Sequence, residues 1–188
     1  AEAAKARVDV LRSLLRTPAV IGDDDYERLL KDVFDATTKL LGREPTNHRG
    51  PESEEGWKVA GFQATAPDRE FRGGGLLGLH CLLHALEHHP ATCSKLLEGP
   101  FPFAAASINM TLVAARLAGV ASADDAMKAS ISDKSPQNTP YHCQSLLATS
   151  HDGFFEVHAL ALDALERARS DVDAGAMDFM GCAVAARE

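Results

Sequence analysis

Long apolar runs are missing from this 188-residue chain. No stretch approaches the ~20 apolar residues that a helix needs to cross a bilayer. No secretory leader opens the sequence either, although it starts at Ala1 without a methionine, which leaves room for an upstream segment. Cysteine is scarce: Cys81, Cys93, Cys143 and Cys182 are the four, and none forms a CxxC pair. A chain this long can bury a core without disulfide staples, so they read as reduced thiols of a cytosolic protein. Basic residues are outnumbered, 19 Lys and Arg against 27 Asp and Glu, for a net charge of −8. Such a balance repels a phosphate backbone and argues against general nucleic-acid binding. Period-two alternation long enough for a strand is absent, as are internal repeats and any sign of a second domain.

What is present is an apolar fraction of 45%, which marks a globular chain, and apolar residues at helical spacing. Val8, Leu11, Leu14 and Leu15 predict a helix over 2–16, stopped by Thr17-Pro18. Asp23 suits the start of a second, with Leu29, Leu30, Val33, Phe34, Thr37, Leu40 and Leu41 as its stripe and Gly42 as its end. Residues 42–56 (GREPTNHRGPESEEG) are polar and rich in turn formers, and predict an exposed loop. A leucine-rich helix follows over 75–89, closed by Pro90, then a short one over 91–98. Residues 102–118 predict a helix apolar on nearly all sides, expected at the centre of the molecule. Residues 120–140 read as irregular, with one turn of helix near 124–130, followed by helices at 142–149 and 153–169 and a weakly helical tail at 171–186. The expectation is an all-α, single-domain, irregular bundle of about seven to nine helices spanning 1–188.

The segment Trp57–Leu82 (WKVAGFQATAPDREFRGGGLLGLHCL) carries the chemistry. It holds a buried aromatic, a Gly-Phe-Gln turn, a proline-anchored loop, then Phe71-Arg72 ahead of three glycines and a helix. Arg72 thus sits on a loop just before a helix N-terminus. Glycines at 73–75 can take backbone angles closed to other residues and let another surface approach. An arginine held there can present its planar donor fork to phosphate.

This segment resembles the signature of the ELMO domain family. The matching positions are Trp57, Gly61, Phe62, Gln63, Pro67, Glu70, Phe71, Arg72, Gly73, Gly75, Leu79 and Leu82. A second block of the family is similar to residues 101–112 (FPFAAASINMTL), around Ile108-Asn109. Two departures stand out: Glu70 replaces the usual Asp before Phe-Arg, and Ala64 and Ala66 replace the common Gly and Asp. The family has two branches. One activates small GTPases of the ADP-ribosylation-factor group, with the signature arginine as its proposed finger. The other lacks that arginine and scaffolds an exchange factor. Retention of Arg72 resembles the first branch. The resemblance implies a partner GTPase that carries its own GTP and Mg²⁺, no cofactor on this chain, and a cytoplasmic location, peripheral on membranes through the partner. It makes Arg72 the catalytic residue, with Glu70 orienting it by a salt bridge and Gly73 and Gly75 allowing approach. Trp57, Phe62 and Phe71 would hold the loop to the body, and Gly61, Gln63 and Pro67 complete the partner-binding and loop-supporting set.

Other readings stay open. Arg72 could instead tie its own loop down through Glu70, or the same face could serve a non-catalytic adaptor. His80, His84 and His88 recur every four residues, and a metal-dependent helical hydrolase is the enzyme-class alternative. The outer two lie about 12 Å apart along a helix, and no spacing brings in His142 or His158, so a partly solvated stripe without metal is expected. Gly73–Gly75 lack the Lys-Ser/Thr ending and preceding strand of a Walker site. Ser150-His151-Asp152 are sequence neighbours and cannot stack as a triad; a capping turn is expected. Phe154, Phe155 and Phe179 read as core or partner contacts. Asn109, formally in a sequon, is expected inside the helix, hydrogen-bonded to a nearby loop. The sequence sets no oligomeric state.

Overall fold

A computed structural model describes residues 2–44, 46–62, 67–121, 150, 152–171 and 182. The expectations for 122–149 and for the tail, with Gln63, His142, Cys143, His151 and Phe179, lie outside these described residues. Those described form helices and turns, without a strand. In chain order they are α1 (Glu2–Arg16), α2 (Asp24–Leu40), α3 (Ser53–Val59), a 3₁₀ turn (Pro67–Arg72), α4 (Gly75–His88), α5 (Pro90–Glu98), α6 (Phe103–Leu117) and α7 (Gly153–Asp171). The fold is all-α.

Local chemistry accounts for the helix ends. The Asp23 carboxylate accepts the Tyr26 amide at 3.0 Å and caps α2. Gly42 takes φ +67° just beyond α2, as a left-handed terminator does. Pro90 occupies the first turn of α5, where its missing N–H costs no bond. At α7 the Asp152 carbonyl accepts the Glu156 amide at 3.0 Å, while the Asp152 amide donates to Ser150 Oγ at 3.2 Å. The expected capping turn runs through His151, outside the described residues. The stretch 42–56 differs from a plain loop, because α3 begins inside it at a buried Ser53.

Helix α6 buries most of its surface, as its composition predicts. The centre, however, belongs to α4, which packs against α1, α2, α5, α6, α7 and the 3₁₀ turn. Glycine contributes on the faces of α4 toward α1, α6 and the 3₁₀ turn. Gly74, Gly75 and Gly78 let neighbouring backbones and side chains approach α4 more closely than a second leucine-rich face allows. Phe34, Trp57, Phe62 and Phe71 pack in series through tilted and edge-on contacts, with ring centroids 4.8, 5.0 and 5.7 Å apart. Each buried ring contributes about 1.5–3 kcal/mol.

One polar pair lies within the α6–α7 contact. His158 is fully buried, and its Nε2 donates to the Ser107 carbonyl at 3.1 Å. Burial pushes its pKa down to about 4, so the ring is neutral. Cys81 and Cys93 are buried free thiols, and Cys182 is buried as well. Burial raises the Cys81 thiol and pushes that of Cys93 up to about 12, which leaves both unreactive.

Candidate functional site

The 3₁₀ turn is anchored from below. Pro67 and Phe71 are buried, and Phe71 packs on Phe62 and against Gly78 of α4, where an added Cβ would lie 3.4 Å from the ring. With Phe71 facing inward, the next side chain, Arg72, faces solvent. Among the described residues Arg72 enters no hydrogen bond or ion pair, with Glu70 or any other carboxylate. The expected Glu70–Arg72 salt bridge is therefore not formed, and Glu70 is half-buried. Arg69 is exposed as well. Residues three apart eclipse on a 3₁₀ turn, so Arg69 and Arg72 share one side of it.

The far end of the turn is clamped by Gly75. Its φ is +53°, and a Cβ there would fall 2.8, 2.5 and 2.6 Å from the carbonyl oxygens of Leu14, Leu15 and Thr17. The Leu76 amide donates to the Thr17 oxygen at 3.0 Å. An orphan donor at the start of α4 thereby satisfies an acceptor just past the end of α1. Gly75 thus serves an internal backbone contact. Gly73 is exposed, and a Cβ there would meet only Leu112 Cδ1, at 3.6 Å, so this glycine leaves the outer face low. Gly61, at φ +79°, lies so close to Phe103 that a Cβ would sit 2.3 Å from its amide nitrogen. Trp57 is buried, and its Nε1 donates to the His48 carbonyl at 3.0 Å.

The near end of the turn is held by Arg49. Its guanidinium donates to Asp68 at 3.0 and 2.7 Å and to Glu27 at 3.0 and 2.8 Å. The Tyr26 hydroxyl donates to the same Asp68 at 2.6 Å. One arginine therefore joins the 42–52 segment, α2 and the 3₁₀ turn. Burial would raise the Asp68 carboxyl, yet the Arg49 and Tyr26 hydrogen bonds prevail and lower it. The Arg49 hydrogen bonds also lower Glu27. The tethering role that sequence left open for Arg72 is filled by Arg49. Sequence reading missed Arg49, Asp68, Tyr26 and Glu27, because partners 19 and 22 residues apart leave no local pattern.

The second block packs on the first: Ile108 lies against Gly74 and Gly78. Among the described residues Asn109 bonds no loop; its Nδ2 donates to the Ala105 carbonyl of its own helix at 2.8 Å. The histidine stripe divides too. His80 is half-buried, and its pKa is lowered chiefly by desolvation. His84 faces Glu156 of α7, and His88 is exposed.

The site can thus present one or two cations on a rigid turn, above a glycine that bares the surface. A model of the ELMO/CED-12 family matches residues 9–182. The ELMO domain-containing protein C of Dictyostelium discoideum is 42% identical over 57 residues, a stretch that covers 29% of this chain and 9% of that relative. No solved structure matches. With the family match running through nearly all the described helices, the chain belongs to the ELMO/CED-12 family.

Proposed function

We propose that the chain is a GTPase-activating protein for a small GTPase of the ADP-ribosylation-factor group, with Arg72 as a finger supplied in trans. Family membership supports the coarser part, a role in small-GTPase regulation. The observation that carries the finer part is an exposed Arg72, without an internal partner among the described residues, on a turn fixed at both ends.

In the transition state of GTP hydrolysis, negative charge spreads over the phosphate oxygens. A guanidinium placed there gives a roughly 10³–10⁵-fold gain in rate, or about 4–7 kcal/mol of barrier. Rigidity matters because a side chain already positioned gives up less entropy at the encounter. Arg49, Asp68 and Gly75 position the backbone, and Gly73 lets the partner close in. The GTPase brings nucleotide, Mg²⁺ and the residue that orients water. Membrane association, where it occurs, comes through that partner.

The test is single-turnover hydrolysis by a panel of GTP-loaded ADP-ribosylation-factor-like GTPases with wild-type and Arg72→Lys protein. Lysine keeps the charge and loses the fork. Stimulation by wild type, with a loss of about tenfold or more in the variant at retained binding, supports the finger. Equal stimulation by both overturns it, and binding without stimulation leaves the adaptor reading.

A further inference from the structure

At the opposite end of α4 from Arg72, three residues that sequence spacing did not connect come together. His84 lies in the last turns of α4, His89 at the corner before α5, and Glu156 in the first turn of α7. His84 Nε2 is 2.9 Å from Glu156 Oε1, and His89 Nε2 is 3.2 Å from Glu156 Oε2. One ligand atom from each lies within 4.8 Å of the others. From these positions we infer that His84, His89 and Glu156 form a Zn²⁺ site that cross-links the end of α4 to the start of α7.

The donor set and spacing fit this ion. Zinc bonds of about 2.0–2.2 Å to imidazole and carboxylate put neighbouring ligand atoms roughly 3.3 Å apart in a tetrahedron. The two His–Glu separations are already near that value, and the rings need only close toward each other. Two imidazoles and one carboxylate suit a borderline cation, whereas Mg²⁺ and Ca²⁺ prefer oxygen ligands alone. Each ring would bind through its Nε2 lone pair and carry its proton on Nδ1.

The scaffold holds the ligands in place. Phe155 stacks on the His84 ring at 5.3 Å, and that histidine side chain is only 11% exposed. The backbone of His89 is fixed by the turn into Pro90. Glu156 is 40% exposed, so the fourth coordination position opens to solvent. The exposed His88 ring lies tilted at 44° to that of His84, centroids 4.5 Å apart, and is not needed as a ligand. Gly75 and His88 lie about 20 Å apart along the helix, so this site is separate from the arginine face.

Calorimetric titration of the metal-stripped chain with ZnCl₂, paired with thermal unfolding, tests the assignment. The expected result is one equivalent bound at micromolar affinity or tighter and a raised Tm, with no response to MgCl₂. His89→Ala and Glu156→Gln weaken binding about tenfold or more, while His88→Ala stays within about threefold. Helical circular dichroism of each variant without metal separates a lost ligand from a lost fold. Glu156→Gln, nearly isosteric, is the variant that must fold for the comparison to count. No zinc-dependent heat or Tm change in wild type overturns the site, and so does equal affinity in wild type, His89→Ala and Glu156→Gln.

Discussion

Arg49 and Asp68, nineteen residues apart, meet through two hydrogen bonds of 3.0 and 2.7 Å. The Asp68 side chain is only 9% exposed, so this contact fixes a largely buried carboxylate to the segment before α3. The turn that ends in Arg72 is built on it. Arg49→Met therefore leaves Asp68 with the Tyr26 hydroxyl and its own backbone amide. The expected loss is about 1–3 kcal/mol, below the value for a fully buried pair because Arg49 is itself partly solvated. Urea unfolding followed by circular dichroism gives the number. An unchanged midpoint would mean that the ion pair holds nothing together.

The same network sets a pH dependence. Asp68 and Glu27 both have folded pKa values below their ordinary ones. The native state thus binds fewer protons than the unfolded chain. Their contribution is present above the unfolded carboxylate values, about pH 4, and is lost as pH falls through the lower folded values. Stability measured from pH 6 down to 3 should fall in wild type more steeply than in Arg49→Met. Parallel curves for the two proteins would contradict this.

Neighbouring glycines should respond in opposite ways. At Gly75 a methyl group meets backbone oxygens at 2.5–2.8 Å and sits at φ +53°, so neither packing nor backbone tolerates it. Gly75→Ala is expected to cost about 2–4 kcal/mol. At Gly73 the φ is ordinary and the nearest atom is 3.6 Å away, so Gly73→Ala should leave stability within about 0.5 kcal/mol. If Gly73 bares the face beneath Arg72, that variant loses GTPase stimulation with its melting temperature intact. Thermal unfolding and single-turnover assays on the same preparations separate the two effects.

The parts that sequence revealed are those written in local periodicity. Helices α1, α2 and α4 to α7 follow apolar stripes closed by Pro18, Gly42, Pro90 and the Gly99-Pro100 break, and their bounds fall within a residue or two of expectation. Trp57, Phe62 and Phe71, which the family resemblance implied as supports of the loop, are all buried. Arg49 was not legible: an arginine in a polar loop carries no mark of the two carboxylates it meets across the fold. Nor was the His84–His89–Glu156 cluster. A four-residue stripe draws attention to His80 and His88, while the true neighbour comes from the corner at Pro90 and a helix 67 residues on. Gly75 read as room for a partner, because sequence shows the missing side chain without showing which backbone fills its place.

Arg69 and Arg72 point to a division of labour on the exposed side of the turn. Both are exposed and eclipse along the 3₁₀ axis, yet only Arg72 adjoins Gly73, where a partner surface can come closest. On the proposed function, a guanidinium at that edge would reach the partner's phosphates, whereas one three residues earlier would act mainly through its field. Charges of the second kind change encounter rates and salt dependence more than the chemical step. Arg69→Ala should therefore lower kcat/KM for GTPase stimulation by about two- to tenfold at low ionic strength. The deficit should shrink as salt is added, with kcat nearly unchanged. Arg72→Lys should lower kcat at every ionic strength. Measuring both variants from about 0.01 to 0.2 M salt, over which the Debye length falls from roughly 30 Å to below about 8 Å, distinguishes the roles. If Arg69→Ala reduces kcat as strongly as Arg72→Lys, the finger assignment belongs to the pair of arginines and the geometry at Gly73 does not select between them.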